Sequence, residues 1–365
     1  MTEIEVKIPA SQAAGYKVII GQNFLDAVWP MIEAGFAGRN PFIVTDENLV
    51  SAGHPQRLTG KRSIPCFIIR PAGEISKNIS TVTAIIEAME KAGLGRDSVI
   101  IALGGGTVGD IAGFAAAIFK RGVPVIQMPT TTVAQADSAI GGKTGVDSSV
   151  SKNAFGAFWQ PEAVYIDVAV LKTLDDVQYR AGLVESVKHA LIADADYFDF
   201  LEKNLDDILA RKPDILEKMA CFNCKIKAAV VQADPTEKNQ RRVLNYGHTI
   251  GHAVESASGY KLLHGQAIAI GIIGAGLIEI EMGFSQPGRL ERIKKIFEKL
   301  AVPTALPGYL AEADLMEIIK YDKKAVKRWP KFVLIDKIGH PHCPEGQWAV
   351  DVQKELVEKI LKKLK

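Results

Sequence analysis

Asn245, His248, His252 and His264 lie close together in the stretch NYGHTIGHAVESASGYKLLHG and could together bind a metal ion. On a helix the first three would fall at positions i, i+3 and i+7 and share one face. Two imidazoles one turn apart can chelate a divalent ion, and His264, which follows the break GYK, could supply a third ligand. A carboxylate from elsewhere would complete an open catalytic site. The alternative is that these are ordinary surface or core histidines, and their concentration in one short stretch weakens it.

The first half of the chain alternates strand and helix patterns. Short apolar runs that end at polar or glycine residues are typical of strands buried on both faces. Such runs occupy residues 42–46, 66–70, 98–106 and 123–129. The segments STVTAIIEAMEKAG and DIAGFAAAIFKRG between them have helical periodicity, which predicts βαβ units and a parallel sheet.

From about Leu174 onward, long amphipathic segments replace this alternation, and the second half is predicted to be mostly helical. A chain of 365 residues exceeds one ordinary core and suggests about two domains. We place them at residues 1–174 and 175–365, with a cleft between them.

Composition excludes several classes of protein. The chain has 47% hydrophobic and 24% charged residues, as a soluble globular protein does, and its net charge of +2 gives no reason to expect nucleic acid. No apolar run approaches the ~20 residues of a membrane span, and the first residues lack the pattern of a secretory signal. Four cysteines form no disulfide framework, which favours a reducing cytoplasmic location.

A cluster of glycines follows the predicted strand at residues 98–106 and opens a helix, with the GxGxxG spacing of a dinucleotide site. Glycines let the backbone approach a pyrophosphate, and the start of the helix offers unpaired N–H groups to it. The acidic residue expected about twenty positions later is absent. Asp46, Glu74 and Lys77 could hold the ribose and adenine side instead, or could be solvated turn residues.

The segment from Pro129 to Pro161 interleaves lysines, hydroxyls and glycines, a content suited to polar recognition. Lys143, Lys152 and Asn153, with Arg121 upstream, could grip a phosphate or carboxylate through charge-assisted hydrogen bonds. A solvated loop is the alternative, but it would not need the interspersed aromatic residues.

Cys221 and Cys224 form a CxxC pair, for which His340, His342 and Cys343 could be imagined as metal partners. The pair lies in the segment KMACFNCKIKAAVVQA, which has the pattern of a continuous helix, whereas structural zinc sites usually place CxxC on a turn. Ordinary helix packing is therefore the preferred interpretation.

The motifs together resemble the 3-dehydroquinate synthase family of sugar phosphate cyclases. GGGTVGDIAGFAAA, KRGVPVIQMPTT, AQADSAIGGKTGVD, KNAFGAFWQP, AGLVESVKHALIADA, LNYGHTIGHAVE and LLHGQAIAIG occur in that family's order with matching gaps, over roughly residues 40 to 335. The resemblance implies an α/β fold class, with an N-terminal Rossmann-like parallel-sheet domain that binds NAD and a mostly α-helical C-terminal domain that binds metal and substrate. It also implies an active site between the domains, and a homodimer.

The resemblance also assigns the metal ligands. It makes Glu185, His248 and His264 the ligands of Zn²⁺, or of Co²⁺, and thereby supplies the missing carboxylate. His252 then contacts substrate or handles protons.

Further positions match the family's substrate pocket. Arg121 resembles an arginine lent by the neighbouring subunit. Within Asp322, Lys323 and Lys324, one lysine resembles a phosphate contact, for which we take Lys324. The other matching positions are Lys143, Lys152, Asn153, Lys188, Lys227, Arg241 and Asn245.

Positions that match NAD contacts lie mostly in the first half of the chain. They are Asp46, Glu74, Lys77, Gly105, Gly106, Thr107, Asp110, Thr130, Thr131, Asp137, Lys143, Lys152 and Thr173.

The implied reaction converts 3-deoxy-D-arabino-heptulosonate 7-phosphate into 3-dehydroquinate and phosphate, a step of the shikimate pathway towards aromatic amino acids. NAD takes a hydride from a ring hydroxyl whose oxygen the metal polarises. The resulting ketone acidifies the adjacent C–H, so that phosphate can leave by β-elimination, with the phosphate's own oxygen as a candidate base. Hydride then returns, the ring opens and an intramolecular aldol reaction closes the carbocycle, so NAD is recycled.

Some residues depart from the family pattern. Gln266 stands beside His264 where a carboxylate could have oriented the ligand. His189 replaces an aromatic residue one turn after Glu185, where it could reach the metal or be structural. The segment TLDDVQYRAG, Pro235 and Asn239 also differ from the usual pattern. These departures bear on specificity more than on the type of reaction.

Three alternatives share parts of this machinery. A related cyclase acting on another sugar phosphate should have other residues in place of the substrate-binding Lys227, Arg241 and Asn245. A metal-dependent polyol dehydrogenase would not need a cationic pocket and would release NADH stoichiometrically. An inactive NAD-binding regulator would not need both metal ligands and anion-binding residues.

Overall fold

The protein is built around a six-stranded parallel sheet. The computed structural model describes residues 15–320 and 329–365. The strands are β1 (Lys17–Gly21), β2 (Asn40–Asp46), β3 (Cys66–Ile69), β4 (Ser98–Gly104), β5 (Val125–Pro129), β6 (Lys143–Val146), β7 (Phe155–Phe158), β8 (Ala163–Asp167), β9 (Ile335–Lys337) and β10 (His340–Pro341). The sheet has the order β1-β8-β5-β4-β2-β3, while β6 pairs with β7 and β9 with β10 as small antiparallel sheets.

Helices cover the sheet and form most of the second half of the chain. They are α1 (Trp29–Gly35), α2 (Glu47–Ser51), α3 (His54–Thr59), α4 (Ile79–Lys91), α5 (Gly106–Ile118), α6 (Asp176–Ala193), α7 (Ala195–Lys203), α8 (Leu205–Leu209), α9 (Pro213–Ala233), α10 (His248–Ala257), α11 (His264–Glu281), α12 (Pro287–Lys299), α13 (Glu312–Lys320) and α14 (Lys354–Lys363). In the part of the chain that the structure describes, none of them is both long and apolar enough to span a bilayer.

Strand β4 shows why the apolar runs of the first half become central strands. Its seven residues are all buried, and successive side chains point to opposite faces of the sheet. Ile100 and Ala102 join one apolar core, which α4 and α5 cover. Ile101 and Leu103 join the opposite core, which α1 and α3 cover. The predicted α/β class with a parallel sheet is therefore confirmed.

The strand order creates a crevice at the carboxyl ends of β2 and β4. The connection from β2 leads outward to β3, whereas the connection from β4 leads the other way to β5. Loops that diverge from neighbouring strands leave a gap above the sheet, which is where open α/β sheets bind ligands. Asp46 ends β2 and the glycine turn at Gly104–Gly106 ends β4, so both border this crevice.

Helices α6, α10 and α11 form the centre of the helical half. Gly247 has φ +76°, a conformation that glycine adopts without strain, and a Cβ there would lie 2.6 Å from Ile272 of α11. A Cβ at Gly265 would overlap the carbonyl oxygen of Ala181 in α6. These two glycines therefore allow α10, α11 and α6 to approach closely, and the histidines at the starts of α10 and α11 lie beside α6.

One local expectation needs correction, one is confirmed, and two features were not predicted. Asn245 is not on the histidine helix, because it ends a 3₁₀ turn and α10 begins only at His248, after the left-handed Gly247. The segment 180–204 is two helices separated at Asp194, whose side chain caps the second. The polar segment from Pro129 to Pro161 contains a β-hairpin, β6 and β7. Cys221 and Cys224 lie on the continuous helix α9, as predicted, and remain free thiols.

Candidate metal and substrate site

Glu185, His248 and His264 converge on one point. Glu185 is 1% exposed, and its Oε1 lies 3.8 Å from His248 Nε2 and 3.6 Å from His264 Nε2. Both separations are too long for hydrogen bonds, and among the described residues this buried Oε1 has no hydrogen-bond partner. Two donor atoms that share a four-coordinate zinc ion lie about 3.4 Å apart, which is close to these distances. The donor set therefore fits a divalent metal ion.

Hydrogen bonds at Nδ1 fix which nitrogen each imidazole presents. His248 Nδ1 lies 3.1 Å from the Tyr246 carbonyl oxygen, to which it donates, because a carbonyl can only accept. His264 Nδ1 lies 3.3 Å from Glu255 Oε2 and donates to that carboxylate. Nε2 of each ring is left facing Glu185, which is the arrangement that metal-ligating histidines usually have.

The charges around these side chains favour metal binding. Burial opposes ionisation of Glu185, but the Lys188 ammonium and the two histidines outweigh burial and hold its pKa well below the usual range. Burial and Lys188 lower the pKa of His248 well below its usual value. Burial acts in the same direction on His264, but Glu185 and Glu255 outweigh it and raise its pKa to about 9. A metal ion would therefore meet a carboxylate and a neutral imidazole, and would displace a proton from His264.

His252 belongs to the same cluster of rings but is exposed. Its ring centroid lies 5.0 Å from that of His248 and 5.8 Å from that of His264. One nitrogen from each of the three rings lies within 4.8 Å of the other two. Three imidazoles could therefore be taken as the ligand set. We favour Glu185 over His252 because the buried Glu185 Oε1 lacks a hydrogen-bond partner and lies near both other rings.

Asp137, Glu185 and His189 form a second group of potential ligands within 4.8 Å. In this group Asp137 and His189 already have partners. Asp137 Oδ1 accepts from Lys227 Nζ at 2.6 Å and lies 3.3 Å from His189 Nε2, while His189 Nδ1 lies 3.2 Å from Asn223 Oδ1. His189 is fully buried in this network, which favours the structural interpretation of this residue.

The lysines predicted to bind substrate each contact a carboxylate. Lys188 pairs with Glu185 and Lys143 pairs with Glu237, both at close range, and Lys227 pairs with Asp137. Asn245 Nδ2 donates to Glu237 Oε1 at 2.8 Å, so Glu237 joins Asn245 and Lys143. The structure therefore brings together the cationic residues that the sequence predicted to bind anions. It pairs them with carboxylates that the sequence did not reveal.

Arg241 is fully buried beside these lysines. Its Nη1 donates to the Pro235 carbonyl oxygen at 2.6 Å, and its Nη2 donates to the Gly141 carbonyl oxygen at 2.9 Å. Its buried Nε has no hydrogen-bond partner among the described residues. A guanidinium carries five N–H groups, so donors remain for a bound anion while two are used to hold the loops at Gly141 and Pro235.

The glycine turn and its neighbours form the side of the site that fits a dinucleotide. Helix α5 begins at Gly106, just after β4, and no side chain caps its first N–H groups. These groups could therefore donate hydrogen bonds to an anion. Nearby, Lys77 Nζ contacts Asp110 Oδ2 at 2.6 Å, and Glu74 Oε2 accepts from the Thr107 hydroxyl at 3.2 Å. Burial opposes the charge on Lys77, but the two carboxylates outweigh it and raise its pKa.

Other predicted cofactor positions lie at the ends of sheet strands or in the segments that follow them. The Thr130 hydroxyl is buried without a hydrogen-bond partner among the described residues, as a group awaiting a ligand would be. Asp46 caps α2 through Leu49 N–H, and burial raises the pKa of its carboxyl group. The Thr131 hydroxyl accepts from Ala134 N–H, and the Thr173 hydroxyl is 2.7 Å from His54 Nε2. A Cβ at Gly105 would lie 2.9 Å from Thr131, and one at Gly106 would lie 3.0 Å from Ser138.

Lys152 joins the two sides of the site. Its Nζ lies 3.1 Å from Glu74 Oε1 and 3.0 Å from Glu255 Oε1.

Two other predicted residues lie apart from these contacts. Asn153 is exposed, with φ +51° and its N–H bonded to the Asp147 carboxylate, and Arg121 is exposed with φ +73°. Asp322, Lys323 and Lys324 lie outside the described residues.

Sequence reasoning missed the carboxylate that orients His264. Gln266 was the expected position, but Gln266 Oε1 accepts from Leu263 N–H at 3.0 Å and caps α11. Glu255 serves His264 instead. It follows His248 by seven residues and therefore lies on the same face of α10, a pattern that could have revealed it. Burial opposes its ionisation, but His264 and Lys152 lower the pKa of Glu255 to about 2.

Comparison with known proteins gives matches along most of the chain. Family models for the N-terminal and C-terminal parts of 3-dehydroquinate synthase match residues 67–181 and 182–325. The 3-dehydroquinate synthase of Symbiobacterium thermophilum is 43% identical over 314 residues, which cover 85% of this chain and 88% of that protein. That of Caldanaerobacter subterraneus subsp. tengcongensis is 38% identical over 369 residues, which cover 100% of both chains.

Solved structures with the same fold contain the expected cofactors. A 2-deoxy-scyllo-inosose synthase complexed with carbaglucose-6-phosphate, NAD⁺ and Co²⁺ superimposes with a TM-score of 0.84 at 28% identity, covering 95% of this chain and 96% of that one. The 2-epi-5-epi-valiolone synthase of Streptomyces hygroscopicus subsp. jinggangensis, with NAD⁺ and Zn²⁺ bound, gives a TM-score of 0.85 at 26% identity, covering 98% of this chain and 99% of that one. An iron-containing alcohol dehydrogenase of Thermotoga maritima, at 14% identity, shares the fold alone.

Proposed function

We propose that this chain, which belongs to the 3-dehydroquinate synthase family, converts 3-deoxy-D-arabino-heptulosonate 7-phosphate into 3-dehydroquinate and phosphate. It is then a phosphate-eliminating carbon–oxygen lyase of the shikimate pathway that uses recycled NAD⁺ and a divalent metal ion. One observation carries the proposal. The buried Glu185 Oε1, without a hydrogen-bond partner among the described residues, faces Nε2 of both His248 and His264 beside a group of cationic side chains.

Glu185, His248 and His264 would hold the metal ion, which we take to be Zn²⁺ or Co²⁺. The two solved cyclases named above contain these ions, and one carboxylate with two imidazoles is a ligand set that leaves a position open for substrate. His252, exposed beside them, is placed to contact substrate or to move a proton without ligating the ion.

The uncapped start of α5 would receive the pyrophosphate of NAD⁺, with Gly105, Gly106 and Thr107 closest to it. Asp46, at the end of β2, would bind the adenosine half of NAD⁺, because its carboxylate can accept hydrogen bonds from the ribose hydroxyls. The remaining cofactor contacts that we propose are Glu74, Lys77, Asp110, Thr130, Thr131, Asp137, Lys143, Lys152 and Thr173.

When bound, NAD⁺ supplies a hydride acceptor that later returns the hydride, and the metal ion polarises the reacting hydroxyl of the substrate. The protein's own side chains orient the substrate. Lys143, Lys227, Arg241 and Asn245 present donors to its phosphate and carboxylate, and Asn153 and Lys324 would add further contacts. Lys188 holds Glu185 in place.

Because the lysines of the pocket already contact carboxylates, substrate binding involves an exchange of partners. The phosphate and carboxylate of the substrate would take over donors that now meet Glu237 and Asp137. A buried anion needs such donors, or its desolvation goes uncompensated. This exchange favours a substrate with two anionic groups over a neutral polyol, which could not replace the carboxylates.

We further propose two domains, residues 1–174 and 175–365. The proposal is supported by the position of the boundary, which falls after the 3₁₀ turn at Val168–Thr173 that follows the last sheet strand and just before α6. We also propose a homodimer in which Arg121 reaches the neighbouring active site, and the exposure of Arg121 supports this proposal. The four free cysteines support a cytoplasmic location.

The experiment that tests the reaction compares two substrates. The purified protein with NAD⁺ and Zn²⁺ should release phosphate from 3-deoxy-D-arabino-heptulosonate 7-phosphate and form 3-dehydroquinate. A heptose 7-phosphate that lacks the carboxylate should be turned over far less efficiently. Equal turnover of both sugars would contradict the proposal and favour another sugar phosphate cyclase.

A further inference from the structure

Glu255 lies between two cationic side chains that belong to different parts of the site. It is 6% exposed, its Oε1 is 3.0 Å from Lys152 Nζ, and its Oε2 is 3.3 Å from His264 Nδ1. Each carboxylate oxygen therefore has its own partner. Lys152 also contacts Glu74, and His264 is a proposed metal ligand.

The contacts continue beyond Lys152 to the start of α5. Lys152 Nζ is 3.1 Å from Glu74 Oε1, and Glu74 Oε2 accepts from the Thr107 hydroxyl at 3.2 Å. Thr107 lies in the first turn of α5, directly after the glycine turn. An unbroken row of side chains in hydrogen-bond or ion-pair contact thus runs from Thr107 through Glu74, Lys152 and Glu255 to His264.

The direction of the His264 ring depends on this row. An imidazole turns about two side-chain torsions, and the partner of its Nδ1 determines where Nε2 points. Gln266 cannot serve as that partner in this arrangement, because its oxygen caps α11 at Leu263 N–H. Glu255 is thus the acceptor that aims His264 Nε2 at Glu185, and Lys152 holds the other oxygen of Glu255.

We propose that Glu255 is a positioning residue that couples occupancy of the dinucleotide cleft to metal binding at His264. The inference rests on the proposed function, since it takes NAD⁺ at the glycine turn and a metal ion at Glu185, His248 and His264. A dinucleotide that contacts Thr107 or Glu74 restricts Glu74, and through it Lys152 and Glu255. Less side-chain freedom is then lost when His264 binds the ion, so the two ligands strengthen each other's binding.

The test measures Co²⁺ affinity of the metal-stripped, full-length protein by competition with a chelator, with and without saturating NAD⁺. Wild-type protein should bind Co²⁺ about 5- to 150-fold more tightly when NAD⁺ is present. Glu255→Gln should bind Co²⁺ about 10- to 100-fold more weakly than wild type. The effect of NAD⁺ in this variant should shrink to less than about twofold, because an amide cannot hold Lys152 as a carboxylate does.

A second variant cuts the row at another point. Lys152→Met leaves the contact between Glu255 and His264 intact but removes the link to Glu74. It should keep most of the Co²⁺ affinity and lose the NAD⁺ effect. The matched control is Glu281→Gln at the end of α11, whose carboxylate pairs with Lys359 and Lys363 outside the row. It should retain both the affinity and the NAD⁺ effect.

Two results would overturn the inference. One is wild-type Co²⁺ affinity that NAD⁺ leaves unchanged or weakens, and the other is a full NAD⁺ effect in Lys152→Met. The second result decides the matter even if Glu255→Gln does not fold. Failure of the proposed function would look different, because it would appear as equal turnover of the two sugar phosphates, a result that does not depend on how NAD⁺ changes the Co²⁺ affinity.

Discussion

The substitution Glu185→Gln should remove the metal ion and also destabilise the metal-free protein. Glu185 and Lys188 are each 1% exposed and pair with one another inside the helical half. Breaking a buried ion pair by neutralising one partner leaves an uncompensated charge, which typically costs about 3–5 kcal/mol in the free energy of unfolding. Because Asp137 and Glu237 also lie near the Lys188 ammonium, we expect the lower end of this range, about 3 kcal/mol.

The double substitution Glu185→Gln/Lys188→Met separates the two effects. With both charges removed, the free energy of unfolding should return to within about 1 kcal/mol of the wild-type value, because replacing a buried ion pair by neutral side chains of similar volume is often neutral. Metal binding should remain absent, since the carboxylate ligand is missing. Urea unfolding of the metal-stripped proteins gives the stabilities, and metal analysis after loading with Zn²⁺ gives the occupancies.

Two results would refute this reasoning. Wild-type zinc content in Glu185→Gln would show that Glu185 is not a ligand. A double variant as unstable as Glu185→Gln would show that the loss of stability does not come from the unpaired Lys188 ammonium.

Three further predictions concern single side chains. His248→Ala and His264→Ala should each lose the metal, whereas His252→Ala should retain it, and metal analysis of the purified variants checks this. Arg241→Lys should lower kcat/KM for the heptulosonate phosphate by about 10- to 150-fold, because lysine cannot make two parallel hydrogen bonds to a carboxylate. Burial lowers the pKa of His54 below 6.5, so unfolding takes up a proton and the free energy of unfolding should fall as the pH drops below 6.5. In His54→Gln that fall should be shallower, by up to about 1.4 kcal/mol per pH unit in urea unfolding.

Each of these predictions has a clear contrary outcome. Zinc lost equally from His252→Ala would contradict the division of roles among the histidines. Unchanged efficiency of Arg241→Lys on the acid would remove Arg241 from the carboxylate site. A pH dependence of stability that is the same in His54→Gln and wild type would mean that His54 is not a neutral buried group.

The elements that position the site could be predicted well, because their sequence pattern follows directly from burial. Strand β4 is apolar throughout since it is covered on both faces, and the glycines after it indicate the start of α5. The family was identified from ordered motifs, and the family models that match residues 67–325 confirm it. Glu185 illustrates the limit of residue patterns. It lies on a different helix from the histidines, so only the resemblance could pair it with them.

The features that were misplaced or missed have physical causes. Asn245 was placed on the histidine helix because its spacing fits, but Gly247 has a left-handed conformation and α10 begins only after it, at His248. The hairpin of β6 and β7 was missed because Phe155 and Phe158 remain exposed and give no inside-outside alternation. The counter-ions of the substrate lysines come from distant segments, as Asp137 does for Lys227, and only the folded chain brings them together.

In the proposed reaction hydride is taken and returned in one site, so that NAD⁺ acts as a catalyst. The most direct measurement follows phosphate, 3-dehydroquinate and NADH together, with the Zn²⁺-loaded protein, excess heptulosonate phosphate and NAD⁺ equimolar with the protein. Phosphate and 3-dehydroquinate should appear in equal amounts over many turnovers for each NAD⁺, with no net rise in NADH absorbance. Accumulation of NADH equal to product, with turnover ending when NAD⁺ is consumed, would contradict the account and identify a dehydrogenase instead.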